Sequence, residues 1–357
     1  MKNGHVKKCL SKLLAVLFLF SLLLYPSQSF QGAATGLQLW GSVVVPTLLP
    51  FMLCSDLLTV TGGYQLLMKP LQFFFRTIFH LSVSGSYTLI MGILCGYPMG
   101  AKVCAGLLSE RKLEQTEAFK LMAYISYPSP MFLLGYVLPR LQSSLSTWQM
   151  MTAVYLPVLP LAMMSNSFYS RMSYQSTSSA MQATCLYGNI SQHNTSWNNT
   201  APHHNNTSQP PQPQSSLEAD QHLSIQPLSL DDRMANSCSI MIKVGCYLML
   251  FSILSHNISL IPHMGDIPAA LISAVCEMTT GIQALSACLT TASSTGKCLL
   301  STAIIMSAAF GGLSGLFQTW SVIKNAGLSI QHYLMWKILH CSLSGLIVLA
   351  LHLLEFL

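Results

Sequence analysis

Asp56, Lys102 and Glu277 are charged side chains set inside long apolar stretches of the sequence. Charge is costly in hydrocarbon, so such residues are functional candidates by default. Lys102 follows the segment Cys95-Gly-Tyr-Pro-Met-Gly100. It could pair with an anionic substrate, or snorkel to the cytoplasmic interface. Glu277 opens the segment Cys276-Glu-Met-Thr-Thr-Gly281. It could carry a coupling proton, cap a helix, or pair with Lys102. Asp56 lies near the inner end of its stretch and reads as interfacial. His256, His340 and His352 lie near the ends of theirs and read as interfacial or packing residues.

Backbone is the second source of chemistry. Gly96, Tyr97, Pro98 and Gly100 interrupt one apolar stretch, and Tyr127-Pro128-Ser129-Pro130 interrupts another. Further on, Glu277 and Gly281 interrupt a third stretch, and Gly311-Gly312-Leu313-Ser314-Gly315 a fourth. A helix broken inside a membrane frees N–H and C=O groups that only protein or water can satisfy. The breaks are therefore expected to line a cavity, where half-helix N-termini carry partial positive charge and hold an anion. The plainer reading is that Gly and Pro serve as packing and kink residues, as they do in many membrane helices.

These residues must be positioned by membrane helices. The chain has 357 residues, 51% of them hydrophobic and only 8% charged. Soluble domains carry roughly 25% charged residues, so this chain cannot coat a water-facing surface and reads as an integral membrane protein. That excludes a disulfide scaffold, a nucleic-acid binder and nearly every soluble enzyme class. The eleven cysteines form no CxxC pair and read as small packing residues. No Walker A, GxSxG, HExxH or DxxG pattern occurs, so no enzyme activity, cofactor or metal is expected.

Ten apolar segments are legible: 13–25, 36–60, 66–79, 84–108, 119–138, 148–169, 240–261, 267–290, 299–323 and 333–354. The first has a basic start and reads as an uncleaved helix, and 66–79 reads as an amphipathic interfacial helix. Residues 170–238 are rich in Ser, Asn, Gln, Thr, His and Pro and lack hydrophobic periodicity, which predicts a disordered polar loop. The pair His203-His204 could bind metal adventitiously but reads as part of a polar linker, and the Asn-x-Ser/Thr triplets at Asn189, Asn194 and Asn205 mean nothing unless the loop enters a eukaryotic secretory lumen.

The two halves match. Cys95 to Gly100 and Cys276 to Gly281 share one spacing, and a second break follows about thirty residues later in each half. Paired interruptions of this kind point to a transporter binding site. The expected fold is an all-α polytopic membrane protein of two inverted repeats, each a span, a re-entrant broken hairpin, a broken span and a span, after an N-terminal helix. The boundaries are 1–30 for the N-terminal transmembrane helix, 36–169 for the first repeat, 170–238 for a cytoplasmic loop and 239–357 for the second repeat. With the N-terminus inside, only Arg140 and Lys297 of the 17 Lys and Arg fall outside, Lys102 and Lys337 being counted inside. This bias follows the positive-inside rule and supports re-entrant hairpins. The predicted site is one midplane cavity formed by Gly96, Tyr97, Pro98, Gly100, Lys102, Ser129, Glu277, Thr279, Thr280, Gly312 and Ser314.

Pro46-Thr-Leu-Leu-Pro-Phe51, Gly92-Ile-Leu-Cys-Gly-Tyr-Pro-Met-Gly-Ala-Lys102, Glu117-Ala-Phe-Lys-Leu121, Pro130-Met-Phe-Leu-Leu-Gly135, Glu277-Met-Thr-Thr-Gly281 and Phe310-Gly-Gly-Leu-Ser314 carry a family likeness. In these motifs the sequence resembles the sporulation integral membrane proteins of the YlbJ type. These belong to the nucleoside-recognition or gate-domain group, similar in design to concentrative nucleoside transporters. The resemblance covers about 36–165 and 240–355. It implies a role in spore maturation, moving dipicolinate, a small planar dianion, across the outer forespore membrane.

The expectation is a secondary transporter or facilitator of a small anionic metabolite in a bacterial cell membrane. The alternatives are a non-catalytic scaffold for spore-envelope assembly and a nucleoside-type carrier. The expected partners are the small anion and the lipid bilayer, with no nucleic acid. Assembly into a homo-oligomer stays open.

Overall fold

The computed structural model describes residues 2–169, 229–258, 260–261 and 263–355, and it is all helix and turn among them. The predicted polar loop lies outside the described residues except for its last ten. The membrane unit comprises Met1–Asn166 and Leu228–Leu357.

Among the described residues, five helices are long and apolar enough to cross a membrane: Pro26–Thr61, Thr147–Tyr169, Leu230–Ile258, Ser294–Ala326 and Ile330–Leu354. About 20 apolar residues are required, and the shortest of these has 23. The chain is thus a multi-pass integral membrane protein. Its outer surface agrees, because large apolar side chains such as Phe73, Met163, Leu299 and Leu346 stand exposed.

The helices are numbered along the chain. α1 is Lys2–Leu24, α2 is Pro26–Thr61, α3 is Gly63–Met68 and α4 is Gln72–Phe79. α5 is Val83–Cys95 and α6 is Met99–Ser109. α7 is Gln115–Leu121, α8 covers 130–140 and α9 is Thr147–Tyr169. α10 is Leu230–Ile258, α11 is Asp266–Cys276 and α12 is Met278–Leu289. α13 is Ser294–Phe310, α14 is Gly312–Ile323 and α15 is Ile330–Glu355.

Three boundaries differ from the sequence expectation. The N-terminal helix ends at Leu24 and α2 begins at Pro26, where Pro fits the first helical turn because its missing N–H has no partner there. The segment 66–79 is divided between α3 and α4, with turn backbone at Lys69–Leu71 around Pro70. α10 begins at Leu230, inside the stretch assigned to the polar loop. Ser229 caps it by accepting from the Asp232 amide at 3.2 Å, and Asp231 and Asp232 suit its N-terminal dipole.

The first long helices of the two halves pack together. Gly32 and Gly36, four residues apart on α2, lie against the backbone of α10, where a Cβ would come within 2.8 Å of the Cα of Ile253 and of Met249. This is the small-residue approach that membrane helices use. Trp40 adds a hydrogen bond from Nε1 to the Met241 carbonyl at 2.8 Å.

Two helical hairpins follow. In the first, α5 and α6 meet at Gly92 and Gly100, where a Cβ on Gly100 would sit 2.8 Å from the Gly92 Cα. In the second, Gly281 lies so close to the Ala274 backbone that a Cβ would overlap it. Gly100 and Gly281, the last residues of the two matching motifs, thus do the same job in their hairpins. At 1.5 Å per residue the four arms are about 16–20 Å long, short of the roughly 30 Å hydrocarbon core.

Candidate functional site

The tips of the two hairpins meet the two broken helices around one cavity of about 320 Å³. That is at the small end of ligand pockets, which run roughly 300–1,000 Å³. Tyr97 comes from the first tip, and Glu277, Met278 and Thr279 from the second. Pro128, Ser129, Phe132 and Tyr136 come from the first broken helix, and Gly311, Ser314, Gly315 and Gln318 from the second. α2 and α10 close the sides with Thr47, Leu48, Val244 and Leu248.

Each tip is locked onto a break by backbone contact. Gly96 has φ +78°, and a Cβ there would lie 2.7 Å from the Ser129 amide nitrogen. Only Gly fits that conformation in that space. The next amide, Tyr97 N–H, donates to the Tyr127 carbonyl at 2.9 Å. In the other half Gly311 and Gly312 both have positive φ, and a Cβ on Gly312 would lie 3.1 Å from the Met278 nitrogen. Tyr97 then crosses between the halves. Its ring packs under Gly311, and its hydroxyl reaches Met278 Sδ and the Ala308 carbonyl.

Three helices begin at residues that line the cavity, α8 after Ser129, α12 after Glu277 and α14 after Gly311, while α6 begins behind it, after Pro98. Ser129 Oγ caps α8 by accepting from Phe132 N–H at 3.2 Å. Glu277 Oε2 caps α12, accepting from Thr280 N–H at 2.7 Å and from the Thr279 hydroxyl. The N-termini of α6 and α14 have no side-chain cap. The positive ends of α8, α12 and α14 therefore lie at the cavity, and Glu277 offsets one of them.

Five of the predicted residues line the cavity: Tyr97, Ser129, Glu277, Thr279 and Ser314. Gly96, Pro98 and Gly312 form the turns behind it. Gly100 sits at the hairpin crossing, and Thr280 and Lys102 point elsewhere. Thr280 lines a second, open groove of about 950 Å³ with Ser255, His256, Asp266 and Ser273. Its hydroxyl lies 2.7 Å from Ser255 Oγ. Thr280 lies about 100° further round the helix than Thr279, and it faces the groove while Thr279 faces the cavity.

Lys102 is held in an inner clasp. Its Nζ donates to Asp56 at 2.7 and 2.9 Å and to Ser237 Oγ at 2.7 Å. Arg233 pairs with Glu110, which also pairs with Lys112 at 2.8 Å. These contacts tie α2, α6 and α10 together. Asp56, expected at the interface, is buried here.

Lys337 was counted among the inside charges, and it is buried on α15, about two turns from the start of that helix, at 5% exposure. Its Nζ donates to the carbonyls of Ser126 and Ala309, each at 2.7 Å, and lies 4.7 Å from the Tyr97 ring centroid. It therefore joins both broken helices and the first tip. His340, one turn on, is also buried, with Nε2 2.9 Å from the Val154 carbonyl. A lysine inside an apolar run is a functional candidate by default, and that signal was available for Lys337.

The fold and cavity define a polytopic helical membrane protein with a largely apolar cavity bordered by broken helices from both halves. The sequence is similar to the "Sporulation integral membrane protein YlbJ" of Bacillus subtilis (strain 168), 35% identical over 136 residues. That match covers 37% of this chain and 33% of the relative, so it spans about one third of the relative's length. No family model matches the chain, and no solved structure matches it.

Proposed function

We propose that this protein is a carrier, without enzymatic activity, that moves a small planar anion across a bacterial membrane through the chamber between the breaks. The observation that carries the reading is that three helices, α8, α12 and α14, begin at residues lining one cavity, with Lys337 buried beside Tyr97 of its wall. Positive helix ends aimed into a low-dielectric cavity favour an anionic ligand. The short hairpin arms support re-entry from one side. Each half then crosses three times, which makes the halves inverted repeats. The charge asymmetry supports a cytoplasmic N-terminus and a cytoplasmic loop between the halves.

The similarity to a sporulation membrane protein supports a role in spore maturation, with dipicolinate as the cargo and the outer forespore membrane as the site. Its partners are then the anion and the lipid, and no nucleic acid. The test is counterflow: purified protein in vesicles preloaded with unlabelled dipicolinate should take up labelled dipicolinate against its chemical gradient. Competition by nucleosides at equal concentration would favour the nucleoside-type reading. No counterflow of either solute would leave the scaffold reading.

A further inference from the structure

Polar and apolar groups are not mixed evenly around the cavity. The breaks and the second tip bring Ser129, Glu277, Thr279 and Ser314, while α2 and α10 bring Val43, Leu48, Val244 and Leu248. Ser42 and Thr47, the hydroxyls on the α2 side, donate to carbonyls of their own helix, those of Gln38 and Val43. That wall therefore keeps its donors to itself.

α8 supplies an aromatic wall. Phe132 and Tyr136, one turn apart, both line the cavity, and their rings stack at 5.1 Å with 15° between the planes. Tyr136 is fixed by further contacts. Its hydroxyl donates to the Thr279 carbonyl at 2.8 Å, and the Arg140 guanidinium lies 3.5 Å from its ring centroid. Phe132 and Arg140, one turn before it and one turn after, take its two faces, so a ring in the cavity extends the stack at Phe132. The backbone is also specialised here. Leu133–Val137 in α8 and Trp40–Val44 in α2 are π-helical turns. Both border the cavity, one through Gly135 and Tyr136, the other through Ser42, Val43 and Val44. Such turns are rare and occur frequently at functional sites.

The breaks supply the polar end. α14 starts at Gly312 with no side chain capping its first turn, and Gly311 has none to cover it. Ser314 Oγ accepts from Gln318 at 3.0 Å, and Ser129 Oγ accepts from the Phe132 amide at 3.2 Å, so each hydroxyl keeps its own hydrogen for an acceptor. Glu277 directs one carboxylate oxygen to the first turn of α12, which leaves the start of α14 as the better place for a second carboxylate.

We infer that the cavity selects a carboxylate carried on a single aromatic ring, with the ring against Phe132 and Tyr136 and the carboxylate at the start of α14 beside Ser129 and Ser314. The inference rests on the transport reading above and adds Phe132 and Tyr136 as determinants of specificity. The cavity, about 320 Å³, suits one ring. An aliphatic diacid of equal charge satisfies the polar end but forfeits the aromatic contacts, and it must also freeze its chain torsions.

The test uses the full-length protein in vesicles and competes labelled dipicolinate counterflow with two unlabelled dianions. Isophthalate has the ring, and glutarate has the same spacing of carboxylates without it. In the wild-type protein isophthalate should compete at least about tenfold more strongly, as two aromatic contacts supply. Phe132→Leu keeps an apolar side chain and removes the ring. It should shrink that preference by about 2- to 12-fold, the worth of one aromatic pair, and leave competition by glutarate unchanged. Tyr136→Phe keeps the ring and should keep the preference. Equal competition by the two dianions in the wild-type protein would overturn ring recognition and leave the transport reading standing. An unchanged preference in Phe132→Leu would overturn the assignment to α8. Thermal unfolding in detergent reads the same selectivity without transport, because a bound ligand stabilises the folded state. Greater stabilisation by isophthalate than by glutarate, without counterflow, would overturn transport and uphold the ring site. If Phe132→Leu does not fold, the wild-type preference between the two dianions decides.

Discussion

Lys102 and Lys337 are both lysines buried in apolar helices, yet the structure uses them in opposite ways. Lys102 has a full complement of partners in Asp56 and Ser237. Lys337 has only carbonyls and an aromatic face, and it touches the elements that enclose the cavity. A lysine paired with a carboxylate is electrically neutral at a distance. It fastens helices and contributes little field to a cavity. A lysine held by carbonyls alone has no countercharge beside it, so any charge it carries acts on whatever binds nearby. The comparison teaches that wiring, and not the residue type or the prominence of the surrounding motif, separates a fastener from a site.

The sharpest way to break this comparison is to remove one partner of the clasp. Lys102→Met leaves Asp56 buried without its cation. Breaking a buried pair in this way costs about 3–5 kcal/mol. The double variant Lys102→Met with Asp56→Leu should recover most of that loss, because two apolar residues leave no uncompensated charge. Thermal unfolding in detergent checks both. Transport by the double variant should survive. If it is lost while stability is restored, Lys102 acts on the cargo and the two lysines are not opposites.

The second largest effect belongs to Lys337. Lys337→Gln keeps a donor but removes the charge. Counterflow should fall by about 10- to 100-fold, the range of one charge-assisted contact at roughly 1.5–3 kcal/mol. Purified yield and unfolding temperature separate a transport defect from misassembly. A rate equal to that of the wild type would show that its field does not reach the cargo.

These two lysines also mark how far the sequence could be read. The hairpins and breaks were legible because Gly and Pro interrupt apolar runs at matched spacings. The same local geometry put Tyr97, Ser129, Glu277, Thr279 and Ser314 at one chamber. Thr280, placed at the same cavity by the matched spacing, instead lines the open groove, because tertiary packing turns its face of α12 toward Ser255. The Lys102–Asp56 pair joins residues 46 positions apart, so no local pattern announces it. Lys337 was absorbed into the count of cytoplasmic charges, since a charge count registers the side of the membrane and not the depth. Thr47, Tyr136, Gln318 and Leu248 reach the chamber from helices whose facing only tertiary packing decides.

A smaller effect tests the matched glycines. A Cβ on Gly281 would overlap the Ala274 backbone, and one on Gly100 would press on Gly92 and on the Ile125 carbonyl. Backbone cannot give way as a flexible side chain can. Gly281→Ala and Gly100→Ala should each destabilise the protein by about 1–3 kcal/mol, the usual range for overpacking. Similar losses in the two hairpins, read as unfolding-temperature shifts, would sharpen the equivalence of the halves. A neutral outcome at one of them would show that this hairpin opens without strain.

The smallest expected effect is at the segment between the halves. Deleting 176–227 removes Ser, Asn, Gln and Pro-rich sequence that has no apolar periodicity from which to build a packed site. The cut must stop there for a structural reason. Ser229 caps α10, and Arg233 and Ser237, within its first turns, belong to the clasp with Glu110, Asp56 and Lys102. A deletion that keeps Ser229 leaves that clasp intact, so stability should change by no more than about 0.5 kcal/mol, as for surface changes away from structural features. Counterflow should stay within about twofold of the full-length rate, equivalent to roughly 0.4 kcal/mol. A deletion extended through Ser237 should instead reproduce the loss seen in Lys102→Met, because it removes the same hydrogen bonds from the other side. If the shorter deletion abolishes transport at a normal membrane level, the segment acts on a partner or on the cycle, and the scaffold reading gains what the carrier reading loses.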